Sequence, residues 1–573
     1  MAALHASRIF ATVLGLSALT ALAPASAATV TDLVPDNLPK SLAGSYLAAR
    51  SADSAHDVHS AIGYFESALE ADPDNSNLIE RLLLLQASDG AIDAAGGLAE
   101  RLVAVDVRSP LARMILAARE LKSGAFADAE TGLAQTAKQP LPALTAGLLS
   151  AWADQGQGPD HTDAAIKKIE SLNGPSWYGI FKYYHHAILA DLAGRPDEAV
   201  TAISAAFKAD NSALRVVEAY ARILARAGKR DDAIKALQTY DASQPNHPVI
   251  KDLLADLRGG KTPPPTVNSA QAGAAEVLYG LGSAIGTDEG VELPAAYLQL
   301  AHYLDPDSYL PLLALADMLQ VAQRCEDAIA IYARIPDASP LRPVADIQSG
   351  LCLDELDRVD EAATHVKRVV DADPANLEAV MALGNIYRAH NRFTEAADAY
   401  TRGIATITDK SKADWRIFYF RGVSYERSKH WPEAEADFKQ ALEINPNQPQ
   451  VLNYLGYSWV DMGMNLDQAL NMIKTAVDLR PNDGYIVDSL GWAYFKLGRY
   501  GEAVTQLERA VELKPEDSVI NDHLGDAFWR IGRKLEATFQ WQHAKDLGPD
   551  PEERDKIVKK LESGMPADAH SAG

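Results

Sequence analysis

Four stretches near the C-terminus can be laid over one another. They read GVSYERSKHWPEAEADFKQALEINP (422–446), GYSWVDMGMNLDQALNMIKTAVDLRP (456–481), GWAYFKLGRYGEAVTQLERAVELKP (491–515) and GDAFWRIGRKLEATFQWQHAKDLGP (525–549). Their leading glycines Gly422, Gly456, Gly491 and Gly525 are spaced 34, 35 and 34 apart. A chain built this way stacks copies of one small unit, because a lone unit cannot bury its own apolar surface. In the unit around Gly491, the residues Val487, Leu490, Gly491 and Tyr494 fall at i, i+3, i+4 and i+7, one apolar stripe on a helix. Ala503, Leu507 and Ala510 form the stripe of a second helix. Glycine and alanine keep bulk low where two helices cross at about 8–10 Å. Gly498 lies between the helices, where a reversal of the chain favours φ > 0. Pro515 closes the unit because it cannot continue a helix. The pattern predicts an all-α solenoid of antiparallel helix pairs.

The period extends through most of the chain. Pro306, Pro340 and Pro374 are 34 apart, as are Ala328, Ala362 and Ala396. Between Ser41 and Pro248 it persists in degenerate form, about six units, with Gly90–Ala95, Gly124–Ala129, Gly194–Ala199 and Gly228–Ala233 repeating the Gly498–Ala503 offset. The sequence therefore divides into a leader (1–27), degenerate helical repeats (28–258), a linker (259–269), a regular array (270–549) and a closing helix with tail (550–573). The linker, GGKTPPPTVNS, contains three consecutive prolines, which favour extended backbone. Its GGKT is not a phosphate loop: Ala255 stands where the first glycine is required, and prolines follow where a helix must start.

Residues 1–27 read as a secretory signal peptide. Arg8 precedes a short apolar run, and Ala25-Ser26-Ala27 has the small-x-small form of a cleavage site. The run is short for a bilayer span of about 20 apolar residues, and no cysteine follows it for lipid attachment. Export to the periplasm and no stable membrane insertion are the expectations. The net charge is −24, and removal of Arg8 makes it more negative. Such acidity argues against nucleic acid and anionic membrane surfaces as partners.

No catalytic, cofactor or metal motif emerges. The fourteen histidines do not assemble a site in sequence. His56 and His59 lie one helical turn apart without a third ligand nearby, and no GxSxG, HExxH or dinucleotide fingerprint occurs. No cofactor is expected. Cys325 and Cys352 are the only cysteines. Counting helical rise from the connection near Pro340 puts them at mismatched heights, which favours two buried free thiols over a disulfide.

The informative residues lie on the face of each first helix opposite the apolar stripe. Around Gly491 these are Tyr485, Asp488, Trp492 and Phe495 or Lys496. Equivalent positions hold Asn385 and Arg388, then Arg416, Tyr419 and Glu426, then Asn453, Tyr457 and Asp461, then Asp522, Asp526 and Trp529. First helices line the concave side of a solenoid, and mixed aromatic and polar residues suit protein partners. Tyr419 and Trp529 suit packing against the next unit equally well, whereas Trp459 and Trp541 fall on core offsets. The expected groove comprises Asn385, Arg388, Tyr419, Asn453, Tyr457, Asp488, Trp492, Asp522 and Asp526.

The 422–549 segments resemble tetratricopeptide repeats. LNYLGYSWVD (452–461), DSLGWAYFKLGRY (488–500) and NDHLGDAFWRIGR (521–533) are similar to a group of exported Gram-negative proteins of the Ttp type. That resemblance implies a role in cell-envelope integrity, with envelope proteins or peptide segments as partners. Some intracellular relatives clamp a partner's terminal carboxylate with Lys, Arg and Asn on first helices. Here the corresponding positions are Met381, Tyr419, Asn453, Asp488 and Asp522, which points to a neutral, basic or aromatic-bearing segment instead. A non-catalytic scaffold is the leading reading. The alternative is a solenoid associated with envelope polysaccharide metabolism, with aromatics such as Trp492 stacking on glycan or peptidoglycan.

Overall fold

The computed structural model describes residues 41–287 and 290–566. The leader lies outside the described residues. Within them the regular elements are thirty α-helices and short 3₁₀ turns, with no strand. The chain forms an all-α solenoid divided into two compact units, Asn37–His390 and Asn391–Gly573.

The Asn391–Gly573 unit is built from regular antiparallel pairs. Trp415–Arg427 packs on Trp431–Ile444, Pro449–Asp461 on Leu466–Leu479, Gly484–Lys496 on Tyr500–Leu513, and Ser518–Arg530 on Lys534–Asp546. Pro551–Ser563 closes the stack against Lys534–Asp546. Local chemistry sets the starts and stops. Asp483 and Asp517 cap successive first helices, each side chain accepting from two backbone amides, a contribution worth about 1 kcal/mol. The turn within each pair needs a left-handed residue, supplied by Gly498 (φ 73°) and Gly532 (φ 87°). Lys429 (φ 67°) holds that place one pair earlier than Gly463 (φ 68°).

The leading glycines are explained by close approach. A Cβ on Gly491 would lie 2.5 Å from Leu507 Cγ, and one on Gly525 would lie 2.5 Å from Trp541 Cδ1. Ala503, Leu507 and Ala510 are fully buried, as are Trp459 and Trp541, so the helix phase read from the period is the phase observed.

The Asn37–His390 unit begins with six helix pairs, from Leu42–Ser54 with Val58–Ala71 through to Leu214–Arg226 with Arg230–Ser243. Pro248–Arg258 follows, then the non-helical 259–269 stretch, in which Pro263 and Val267 are buried. The next pair, Ala270–Ala284 with Glu292–Leu304, does not simply extend the row. It folds back onto the first helices Ser76–Asp89, Pro110–Ser123, Pro140–Gly156 and Tyr178–Leu192. The inner face of the preceding pairs is thereby filled by the chain itself. Regular pairing resumes with Leu310–Val321 and Cys325–Tyr332, then Arg342–Glu355 and Val359–Ala372.

Cys325 and Cys352 are two buried free cysteines, as expected, but the height mismatch invoked for them is corrected. Cys325 and Cys352 are both buried, and their sulfurs lie 2.6 Å apart. The counting error has a simple cause. The helix starting at Cys325 ends at Tyr332, and 333–341 is irregular, so a uniform helical rise does not apply across the connection.

Candidate functional site

The expected groove residues fall in both units. Asn385 and Arg388 lie on the Leu377–Ala389 helix of the Asn37–His390 unit, with Arg388 Nη2 donating to Asn385 Oδ1 at 3.5 Å. The other seven lie on first helices of the Asn391–Gly573 unit.

Tyr419 belongs to an aromatic cluster with Trp415, Phe420, Phe438 and Tyr454, so it serves packing. Asn453, Tyr457 and Trp492 are half-buried. The Trp492 indole stacks on Phe495 (ring centroids 4.8 Å apart) and on His523 (4.0 Å). Lys496 Nζ stands 5.3 Å from the Trp492 ring centroid and 3.4 Å from Asp461.

Two aspartates expected on the solvent face are instead buried. Asp488 is 7 % exposed and faces His523 Nδ1 at 3.0 Å. Asp526 is 4 % exposed and accepts from Trp541 Nε1 at 2.9 Å. Lys560, on the closing helix, donates to Asp526 at 2.8 Å and to the half-buried Asp522 at 2.7 Å. Charge matching makes this burial tolerable, since a buried carboxylate without a partner is very costly. Burial works against a charged His523, but the Asp488 charge and hydrogen bond outweigh it and raise the imidazole pKa above its ordinary value. Burial raises the Asp526 carboxyl, with Lys560 pulling the other way.

His523 and Lys560 were not among the expected groove residues. A signal for them existed in the period itself. Asp488 and His523 are 35 residues apart, Asp461 and Lys496 also 35, and Asp526 and Lys560 34. Residues one repeat apart occupy matching positions on neighbouring first helices. Opposite charges at one period's spacing are therefore candidates for ion pairs across the groove.

Buried polar atoms on these helices are left without a partner. Trp492 Nε1, a donor, and Asn453 Oδ1, an acceptor, are buried atoms with no hydrogen-bond partner in the protein, as is Asp522 Oδ1. Burial pushes the nearby Tyr457 phenol well up, helped by the charge of Asp488, so it is a neutral hydroxyl.

In the Asn37–His390 unit the inner face carries mostly internal contacts. Arg215, half-buried, binds Glu218 and Glu276 at once, and Tyr184 donates to Glu276 at 2.8 Å. The Thr145 and Tyr297 hydroxyls are 3.0 Å apart. Beside this contact a cavity of about 520 Å³ remains, lined by Leu84, Leu111, Met114, Leu141 and Leu293 among others. Arg81 at its edge is engaged by Asp53 and Glu292. Among the described residues no group of three or more His, Cys, Asp or Glu could hold a metal. No described helix is long and apolar enough to cross a membrane.

The repeated helix pairs, with a small residue at each crossing, define an α-solenoid whose inner face is made of first helices. The chain carries tetratricopeptide repeats: models of this repeat match 192–257, 350–411, 415–448 and 491–532. It is similar to human Tetratricopeptide repeat protein 13, 26% identical over 178 residues, 30% of this chain and 20% of that protein. It is also similar to the general transcriptional corepressor ssn6 of Schizosaccharomyces pombe, 25% identical over 126 residues, 22% of this chain and 11% of that one. The matches thus span a fifth or less of these curated relatives. Among solved structures, a tetratricopeptide repeat protein from Parabacteroides merdae aligns with TM-score 0.38 and 17% identity, over 45% of this chain and 99% of that one. A helical scaffold that mediates protein–protein interaction is the function class this fold defines.

Proposed function

We propose that this protein is an exported, non-catalytic scaffold that holds cell-envelope proteins by a peptide segment lying on the inner face of the Asn391–Gly573 unit. The observation that carries the reading is the pair of unpartnered groups, Trp492 N–H and Asn453 C=O, on neighbouring first helices beside Tyr457. Once neighbouring side chains shift to uncover them, an extended peptide offers a carbonyl to the indole N–H and an amide to the Asn453 carbonyl, and Tyr457 supplies a half-buried ring at the same place. In the other unit the first helices of the N-terminal pairs are covered by Ala270–Ala284 and Glu292–Leu304, which favours the Asn391–Gly573 unit as the recognition surface. Export rests on the leader, and the envelope role on the resemblance of the repeats.

The glycan reading is weaker. Sugar recognition needs an open ring face, and the Trp492 indole is stacked against both His523 and Phe495.

Trp492→Ala combined with Tyr457→Ala is expected to abolish partner recovery in a crosslinking pull-down from periplasm. Tyr457 is the aromatic anchor in this reading, and such an anchor commonly contributes about 2 kcal/mol or more, or roughly 30-fold in affinity, while Trp492 contributes its N–H. Circular dichroism should stay close to wild type. Retention of the same partners by the double variant would exclude this face, and binding of purified peptidoglycan in the absence of protein would favour the glycan reading. Intact mass of the exported protein is expected to begin at Ala28; a species that keeps residues 1–27 would remove the argument for export by cleavage.

A further inference from the structure

We propose that Cys325 and Cys352 are a disulfide-forming pair that staples two successive repeats. Cys325 opens the second helix of one repeat, and Cys352 lies in the first helix of the next, Arg342–Glu355. Both are buried in one apolar cluster with Leu319, Ala328, Tyr332, Leu341 and Ala345. Their sulfurs stand 2.6 Å apart, well inside the ~3.5–4.0 Å at which non-bonded heavy atoms rest. Two thiols held this close either move apart or bond, and the surrounding packing opposes movement.

A shared metal does not fit the same geometry. Two thiolates on one zinc at ~2.3 Å each, in tetrahedral arrangement, need far more separation than these sulfurs have. The nearest further group is the Glu355 carboxylate, 3.2 Å from Cys325 Sγ, and no three-ligand cluster exists among the described residues.

The chemistry requires an oxidant, and a small disulfide such as glutathione disulfide supplies it. The thiolate of one cysteine attacks one sulfur of the small disulfide, forming a mixed disulfide and expelling one small thiolate. The thiolate of the other cysteine then attacks the protein sulfur of that mixed disulfide and expels the second. The two cysteines are oxidised, the small disulfide is reduced to two thiols, and these carry away the two protons. In the folded state burial pushes both thiols up, and the hydrogen bonds of Cys325 with Cys352 and Glu355 push Cys325 further. Thiolate is therefore scarce once the repeat has packed, so bond formation belongs to folding in an oxidising compartment. The bond closes a loop over the irregular 333–341 connection and fixes how one repeat is stacked on the next. It does not rest on the groove reading.

The test is refolding of the reduced, denatured full chain with a mixture of oxidised and reduced glutathione. After iodoacetamide treatment in denaturant, the product is expected to have lost both reactive thiols and to yield a peptide joining Cys325 to Cys352 by mass spectrometry. Proteolysis at 333–341 should be slower than in the reduced protein. Cys352→Ser should leave Cys325 as a single reactive thiol or a glutathione adduct, with wild-type helicity. Two free thiols in refolded wild type, a stable glutathione adduct on each cysteine, or zinc retained by the native protein would each overturn the proposal.

Discussion

At the residue scale, the groove is governed by ion pairs that reach from one repeat to the next. His523 is the sharpest case. Asp488 faces it directly, with Asp522 and Asp526 on its own helix, Lys560 bound to both, and Glu553 on the closing helix. Burial disfavours the imidazolium, yet Asp488 raises its folded pKa above the ordinary 6.5. A raised folded pKa means that the pair's stabilisation is complete below the unfolded value and is lost as pH rises through the folded one. The stability difference between wild type and His523→Gln is therefore expected to be largest below the ordinary imidazole value of 6.5 and to shrink as pH rises through the raised folded value. Urea melts across that range measure it, and a difference independent of pH would show that His523 is not charged in the fold. Much of this chemistry was hidden from the sequence. Asp488 and Asp526 sit at offsets that alternate with the apolar stripe, so they read as solvent-facing. Their burial comes from partners on other helices, His523 and Lys560 one repeat away and Trp541 on the paired helix of the same repeat, whose contribution a single-helix pattern does not encode. Tyr457 and Trp492, by contrast, sit at the same kind of offset and are half-buried.

At the element scale, the Ala270–Ala284 helix departs most from a plain reading of the period. Its repeat register is regular, and register alone says nothing about what a helix packs against. Its composition held the clue. AQAGAAEVLYGLGSA is small or apolar on nearly every side, and ten of its fifteen residues are buried, as expected for a helix enclosed on all faces. Glu276 is the exception, and Arg215 with Tyr184 satisfies it. Gly273 shows how close the seating is, since a Cβ there would lie 2.3 Å from the Trp152 ring. That ring is held in turn by its Nε1 hydrogen bond to His185 at 3.2 Å, an imidazole whose pKa burial lowers to about 3. Gly273→Val is expected to destabilise the protein, near the upper end of the ~1–3 kcal/mol typical of overpacking. It should also raise protease sensitivity in the 259–269 stretch. An unchanged melting midpoint would mean that the helix does not rest on Trp152. The cysteine pair teaches a related lesson, because its proximity depended on an irregular connection that helical counting cannot describe.

At the scale of the whole molecule, each of the two units is held together internally in its own way. In the Asn391–Gly573 unit the helix contacts run between neighbours in sequence or next neighbours, the arrangement in which stability is a sum of local terms and unfolding can start from an end. The Asn37–His390 unit adds contacts across long stretches of chain. Lys122 donates to the Leu304 carbonyl 182 residues away, Gln299 to the Ser88 carbonyl 211 away, and the Thr145 and Tyr297 hydroxyls meet across 152. Opening the Ser76–Asp89 helix therefore also uncovers Glu292–Leu304. Hydrogen exchange followed by mass spectrometry is expected to register this difference. Amides of Ser76–Asp89 and Glu292–Leu304 should become exchangeable together, with one opening free energy, although they lie about two hundred residues apart. In the other unit Pro551–Ser563 should exchange first and protection should rise inward repeat by repeat, because each helix there depends mainly on its neighbours. Gly273→Val should lower protection of Ser76–Asp89 and Glu292–Leu304 in step. If the two helices exchange with unrelated protection, or if the variant loosens one alone, the 270–304 pair is only laid against the inner face and does not couple the unit into one cooperative body.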